Sequence, residues 1–158
     1  VWPRDRGNQA EMKAFYGQPG RPPITKVRCP WPLKLAWDKG TIMTHVGVHA
    51  KVAGSVGEVF EKVHAHYGTA ELKRIRIDLY DGSFFARNKR GGSTLYPHAC
   101  AIAIDWDPER NQLKWGRDRA SLDASVYDFW WRAWEAQGWV SLGRTRNFDW
   151  MHVQAARL

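Results

Sequence analysis

The chain has 158 residues, 44% of them hydrophobic and 25% charged, which suits one soluble, globular domain with a real core. No apolar run approaches the ~18 residues of a membrane span, and Val1-Trp2-Pro3-Arg4-Asp5-Arg6 has no apolar stretch behind it to serve as a secretory leader. A net charge of +8 and a pI near 9.8 favour anionic partners: nucleic acid, a membrane surface or a bacterial wall.

In chain order, residues 8–16 fit a short helix, with Asn8 as cap, Glu11 three positions later and Gly17 as stop. Beyond it the chain is punctuated by Pro19, Pro22, Pro23, Pro30 and Pro32. Residues 1–40 are therefore expected to form an N-terminal arm packed on a domain of residues 41–158. Within the arm, Trp31, Leu33, Leu35 and Trp37 alternate as in an extended piece that docks. Ile42 to Val52 reads as a strand. Ser55-Val56-Gly57-Glu58 is a capping box for a helix with Val56, Val59, Phe60, Val63 and Tyr67 on one face and Gly68 as terminator. Lys73 to Tyr80 alternates with period two, predicting a strand with one wet face. Residues 99–106 are expected as the next strand. Leu122, Val126, Phe129, Trp130, Ala133 and Trp134 recur at helical spacing up to Gly138, and Phe148 to Gln154 reads as a final strand. Without a regular βαβ alternation, the fold class is α+β, one domain with a mostly antiparallel sheet flanked by helices.

Two cysteines, Cys29 and Cys100, are too few for a disulfide framework and read as buried free thiols. Ten tryptophans are enough that some are expected at surfaces or clefts, with core packing explaining most. Of the six histidines, His45 and His49 are about 13 Å apart if they share a strand, and His64 and His66 fall on different helix faces. All four read as surface or partly packed side chains. His98 and Asp105 differ. They flank the small, apolar run Ala99-Cys100-Ala101-Ile102-Ala103-Ile104, in which Ala101, Ala103 and Asp105 share one face of a strand. That face is a low platform with polar ends. A catalytic zinc needs a third ligand and a carboxylate to act on water. Asp149-Trp150-Met151-His152 supplies one of each, three residues apart.

These residues resemble the zinc D-alanyl-D-alanine carboxypeptidases and L-alanyl-D-glutamate endopeptidases, a family that includes VanY-like enzymes and many phage endolysins. That family carries Ser-x-His-x-x-Gly-x-Ala-x-Asp followed by Asp/Glu-x-x-His. The first motif is similar to Tyr96 through Asp105, the second to Asp149 through His152. Arg87-Asn88-Lys89-Arg90-Gly91-Gly92, Phe15-Tyr16-Gly17, Leu35-Ala36-Trp37-Asp38 and Gly138-Trp139 also look like the phage branch. Tyr96 stands where the family has Ser, and Ala101 where it has Gly. The resemblance implies a Hedgehog/D-Ala-D-Ala peptidase-like fold in which His98, Asp105 and His152 ligate Zn²⁺. It further implies Asp149 as general base and Arg87 as the cation at the substrate carbonyl, with Tyr96 and Arg90 beside the substrate.

The expected function is hydrolysis of peptide stems of bacterial peptidoglycan, with the L-Ala–D-Glu endopeptidase favoured over the D,D-carboxypeptidase. The chain would act as a monomer without nucleic acid. A phage-encoded product made in the host cytoplasm and released to the wall at lysis fits; because the chain begins without Met, a removed leader and a secreted or periplasmic location remain the alternative. The rival readings are a non-catalytic wall-binding domain and a basic nucleic-acid-binding domain, although no helix-turn-helix, zinc-finger or RNP pattern is present.

Overall fold

Helix α1 (Ala10–Tyr16) opens the fold in a computed structural model that describes residues 1–6, 9–84 and 96–158. It buries Met12 and Tyr16 and stops at Gly17, whose φ of 85° suits glycine. Asn8, the expected cap, lies outside the described residues. The Tyr16 hydroxyl donates to Ala155 O at 2.6 Å, tying α1 to the far end of the chain.

Strands β1 (Ile24–Leu35) and β2 (Asp38–His49) form an antiparallel hairpin that pairs Ile24 with His49. The hairpin corrects the expectation of an extended arm. From Ile24 onward the segment is the middle strand of a sheet ordered β2-β1-β3. The alternation that suggested docking is the inward face of β1, where Val27, Cys29, Trp31 and Leu33 are buried. Trp37 falls beyond the strand end and is 63% exposed. Pro30 and Pro32 lie where the β1–β2 register shifts between Arg28 and Leu33; prolines bring no N–H to a ladder and are accommodated at such irregularities.

Helix α2 (Ala53–Arg74) packs its buried Val56, Val59, Phe60 and Val63 over β1. It begins before Ser55, so the predicted capping box does not cap. Ser55 Oγ instead donates to Gln137 Oε1 at 3.1 Å and accepts from Trp139 Nε1 at 2.9 Å, while Gln137 Nε2 donates to Glu58 Oε2 at 2.6 Å. Gly68 breaks the helix at φ 77° but does not end it.

The strand expected from Lys73 to Tyr80 shrinks to β3 (Leu79–Tyr80), parallel to β1. Before it, Arg76 N–H donates to Lys73 O and Ile77 N–H to Leu72 O. This is a Schellman closure of α2, with Arg76 left-handed at φ 65°. The alternating residues there straddle a helix end and a turn, and so short an alternation does not tell the two apart from a strand.

Helix α3 (Tyr96–Ala99) and strand β4 (Ala103–Asp105) replace the strand expected over 99–106. After 3-10 turns at Pro108–Arg110, Ser121–Asp123 and Ser125–Tyr127 come α4 (Asp128–Ala136), β5 (Val140–Ser141), α5 (Leu142–Arg146) and β6 (His152–Gln154). Phe148, expected in the last strand, precedes it and is partly exposed. The second sheet is antiparallel, ordered β4-β6-β5. A Tyr80–Trp106 bridge joins the two sheets, together with the bonds Asp81 N–H to Asp105 O (2.9 Å) and Asp105 N–H to Gly82 O (3.1 Å). The protein is thus a small α+β domain whose strand pairs are mostly antiparallel.

Both cysteines are free and buried. Trp31, Trp106, Trp130, Trp131, Trp134, Trp139 and Trp150 are all buried. Trp106, Trp130 and Trp134 meet edge to face, at 5.1 and 5.6 Å between successive rings. Such pairs add to the burial of their large apolar surfaces.

Gly143 in α5 leaves the space that the Trp150 ring fills, because a Cβ there would collide with that ring. Gly143→Ala is expected to destabilise the fold by about 2–3 kcal/mol through overpacking, read as a lower midpoint in chemical denaturation. Unchanged stability would show that the Trp150 ring relaxes freely.

Candidate metal centre

Two side chains of the centre meet through strand register. Asp105 at the end of β4 stands directly opposite His152 at the start of β6, and residues paired in this way hold their side chains within reach of each other. The third arrives from a helix. After α3, Ile102 N–H donates to Pro97 O and Ala101 N–H to His98 O, and Ala101 is left-handed at φ 58°. This closure turns the chain back so that His98 overhangs β4. The platform foreseen from Ala101, Ala103 and Asp105 is therefore shorter: Ala101 is in the turn, and Ala103 and Asp105 alone share the strand face.

His98 Nε2 lies 3.2 Å from Asp105 Oδ1, and His152 Nδ1 lies 3.3 Å from the same oxygen. The imidazole centroids are 5.0 Å apart with planes at 81°. All three side chains are buried. One ligand atom from each falls within 4.8 Å of the others, so the group could hold a metal ion.

The surrounding hydrogen bonds orient the rings for that purpose. His98 Nδ1–H donates to Ser83 O at 3.3 Å, which turns Nε2 towards Asp105. Gln154 Nε2 donates to Ala156 O at 3.2 Å, so its Oε1 faces His152 Nε2 at 2.8 Å and accepts a hydrogen bond from that N–H. His152 Nδ1 then carries a lone pair in the neutral ring. That buried atom makes no hydrogen bond of good geometry among the described residues. Two imidazole nitrogens and a carboxylate oxygen thus converge in a buried space, a donor set that could hold a metal ion. The charge balance agrees. Burial works to raise the Asp105 pKa, but the charges and hydrogen bonds of His98 and His152 outweigh it and hold the carboxyl well below its usual range. Burial works to lower the His152 pKa, but Asp105 and the charge of Asp149 outweigh it and raise it.

Asp149 reaches the centre through a tight turn. Its φ is 52°, its N–H donates to Leu113 O at 2.8 Å, and its carbonyl accepts His152 N–H at 3.0 Å. The carboxylate is buried, with Oδ2 3.9 Å from His152 Nδ1. It stands beside the ligand cluster without belonging to it. Tyr96 lies on α3 and is half-buried; burial first, with Cys100 and Asp5 adding to it, raises its pKa. Arg87 and Arg90, with the Arg-Gly-Gly stretch, lie outside the described residues.

The other histidines are occupied elsewhere. His49 Nδ1 accepts from Lys51 N–H, so its Nε2–H donates to Tyr16 O. His64 stacks on Trp31 and His66 on Phe129, while His45 bonds Thr44. Sequence reasoning missed Gln154 and the carbonyl of Ser83. Gln154 follows His152 by two residues on the same strand face, a spacing that could have found it; a main-chain carbonyl leaves no side-chain signal. No protein-family model, curated protein or solved structure matches the chain.

His152→Ala is expected to abolish stoichiometric metal uptake, measured by elemental analysis after dialysis; undiminished metal would remove His152 as a ligand. Gln154→Met leaves the ligands but frees the His152 tautomer, and should weaken metal affinity about 10–100-fold. Because the His152 pKa is raised, protons compete with the metal: affinity is full above that pKa and falls as pH drops through it. Calorimetric titration over about pH 5–8 checks the sign, and an affinity independent of pH would contradict it.

Proposed function

We propose that the protein is a zinc-dependent peptidase acting on the peptide stems of bacterial peptidoglycan, with internal cleavage of the L-Ala–D-Glu bond preferred to removal of a terminal D-Ala. The observation that carries this reading is the meeting of His98, Asp105 and His152 around one point, with the Asp149 carboxylate beside them. Two imidazoles and one carboxylate are a donor set suited to catalytic zinc, which keeps a coordination position open. A structural site would be closed by a fourth protein ligand; among the described residues the candidate group has three members. Support for the resemblance also comes from Ala101. It stands where the resembled family has Gly, and its φ of 58° is a conformation that favours glycine.

When bound, zinc would lower the pKa of water to about 7 and polarise the scissile carbonyl. His98, Asp105 and His152 would hold the ion, with Ser83 O and Gln154 Oε1 keeping the imidazoles in the required tautomers. The Asp149 carboxylate takes the proton of the attacking water and returns it to the leaving amine, a general-base and then general-acid role. Arg87 is assigned to the carbonyl oxygen, where a cation stabilises developing negative charge. Arg90 and Tyr96 are assigned to substrate fit. The net charge of +8 would favour approach to a wall of anionic polymers. A product of a phage gene that reaches the wall at lysis fits this chemistry.

Incubating zinc-loaded protein with purified muropeptides and weighing the products by mass spectrometry tests activity and names the bond; intact muropeptides would overturn the reading in favour of a non-catalytic wall-binding domain. Asp149→Asn should retain one metal per chain and lose at least about 100-fold in turnover, and retained turnover would exclude it as the base. Arg87→Ala should lower turnover with metal content unchanged; full turnover would return Arg87 to an ordinary surface cation.

A further inference from the structure

Away from the metal centre, folding gathers cations from separate segments. Lys34 near the end of β1, Lys39 in β2, and Lys73 and Arg76 at the end of α2 line one pocket with Asp78 and Leu79. Asp107 and Glu109, beside and in the 3-10 turn Pro108–Arg110, face Arg76 and Lys39 of this lining, and Arg110 pairs with Asp107. Five cations there share three carboxylates, so the cluster keeps a positive excess.

The pairing is also uneven. Asp107 Oδ2 accepts from Arg110 Nε at 2.9 Å, and Glu109 Oε1 pairs with Lys39 Nζ at 2.5 Å. Arg76 is left with long approaches, Nε to Asp107 Oδ1 and Nη2 to Glu109 Oε2, both at 3.5 Å. Lys34 Nζ is 3.7 Å from Asp78 Oδ2. The Nε and Nη2 atoms of Arg76 are buried and make no hydrogen bond among the described residues, although buried polar groups as a rule do.

The backbone makes Arg76 more unusual. It occupies the left-handed position of a Schellman closure, φ 65°, which glycine normally fills. Strained residues of this kind cluster at ligand clamps. The negative end of the α2 dipole accounts for Lys73 and Arg74 in the last turn; it does not account for an arginine in a glycine position with unsatisfied nitrogens.

We propose that this pocket binds a phosphoryl anion, with the Arg76 guanidinium as its main contact and Lys34 and Lys73 as flanking charges. A tetrahedral anion offers several acceptor oxygens to a planar guanidinium and to the ammonium groups beside it. The inference stands independently of the hydrolase reading, because none of these residues belongs to the metal centre.

The test is titration of the full chain with inorganic phosphate at constant ionic strength, against chloride, following backbone amide shifts by NMR. Saturable shifts centred on residues 34, 39 and 73–79 are expected. Arg76→Gly removes the guanidinium and places at that position the residue its φ favours, so it should fold at least as well and bind phosphate at least 10-fold more weakly. Shifts no larger than those with chloride, shifts centred on residues 98–105 and 149–154 instead, or unaltered affinity in Arg76→Gly would each overturn the proposal. A poly(glycerol phosphate) oligomer identifies the source of the phosphoryl group: competition with bound phosphate assigns the pocket to polymer-borne phosphodiesters, and phosphate binding without competition assigns it to the free anion.

Discussion

The carboxylate of Asp105, facing two imidazole nitrogens in a space closed to water, is the interaction on which the centre depends. A carboxylate and two lone pairs do not gather in a dry interior unless something positive joins them. The charges and hydrogen bonds of His98 and His152 keep the buried Asp105 ionised, and Asp105 in turn makes His152 more basic than usual. A divalent cation would supply the positive partner with a full charge. Metal affinity and acidity are therefore two expressions of the same electrostatic problem.

The scaffold solves the positioning of these groups with main-chain bonds more than with side chains. Asp105 and His152 are neighbours because β4 and β6 pair in one register; a slip of one residue would turn one of them to the opposite face. His98 is set by the turn at Ala101, and Asp149 by the turn at its own left-handed φ. Behind this layer, the edge-to-face chain of Trp106, Trp130 and Trp134 and the seating of Trp150 against Gly143 supply rigid, close-packed support. Asp105 also bonds Gly82 O through its N–H, so the centre lies at the junction between the two sheets.

Two departures from local preference share a geometry. Ala101 and Arg76 each occupy the left-handed position after a helix, where glycine is cheaper. At Ala101 the small side chain limits the strain, and the turn serves to place His98. At Arg76 the side chain is large and charged and its nitrogens are under-satisfied. There the backbone strain holds a guanidinium in a cationic pocket.

Elements with a strong helical period were legible in part: the inward face of α2, the Trp130, Ala133 and Trp134 face of α4, and the stops at Gly17 and Gly138. Gly68 kinks α2 without ending it, and Leu122 and Val126, expected on the α4 face, lie in 3-10 turns before it, Val126 exposed. Of the candidate residues, His98 and Asp105 stand out because they flank a small, apolar run, whereas Asp149-Trp150-Met151-His152 is a short pattern that gains weight only beside them; the structure brings His98, Asp105 and His152 together. Short alternations misled. Lys73 to Tyr80 and residues 99–106 contain helix ends and turns whose hydrogen bonds run along the chain, and period two over a few residues cannot report that. The Ser55 box was overridden by Gln137, a partner far along the chain. Sequence by itself determined which side chains carry charge, lone pairs and bulk. Only the tertiary structure decided that β4 and β6 would face those groups at one oxygen, that Gln154 and Ser83 would hold the imidazole tautomers, and that Arg76 would stand half-buried with two carboxylates at 3.5 Å. Such matters depend on contacts between residues distant in the chain, and local preference carries no information about them.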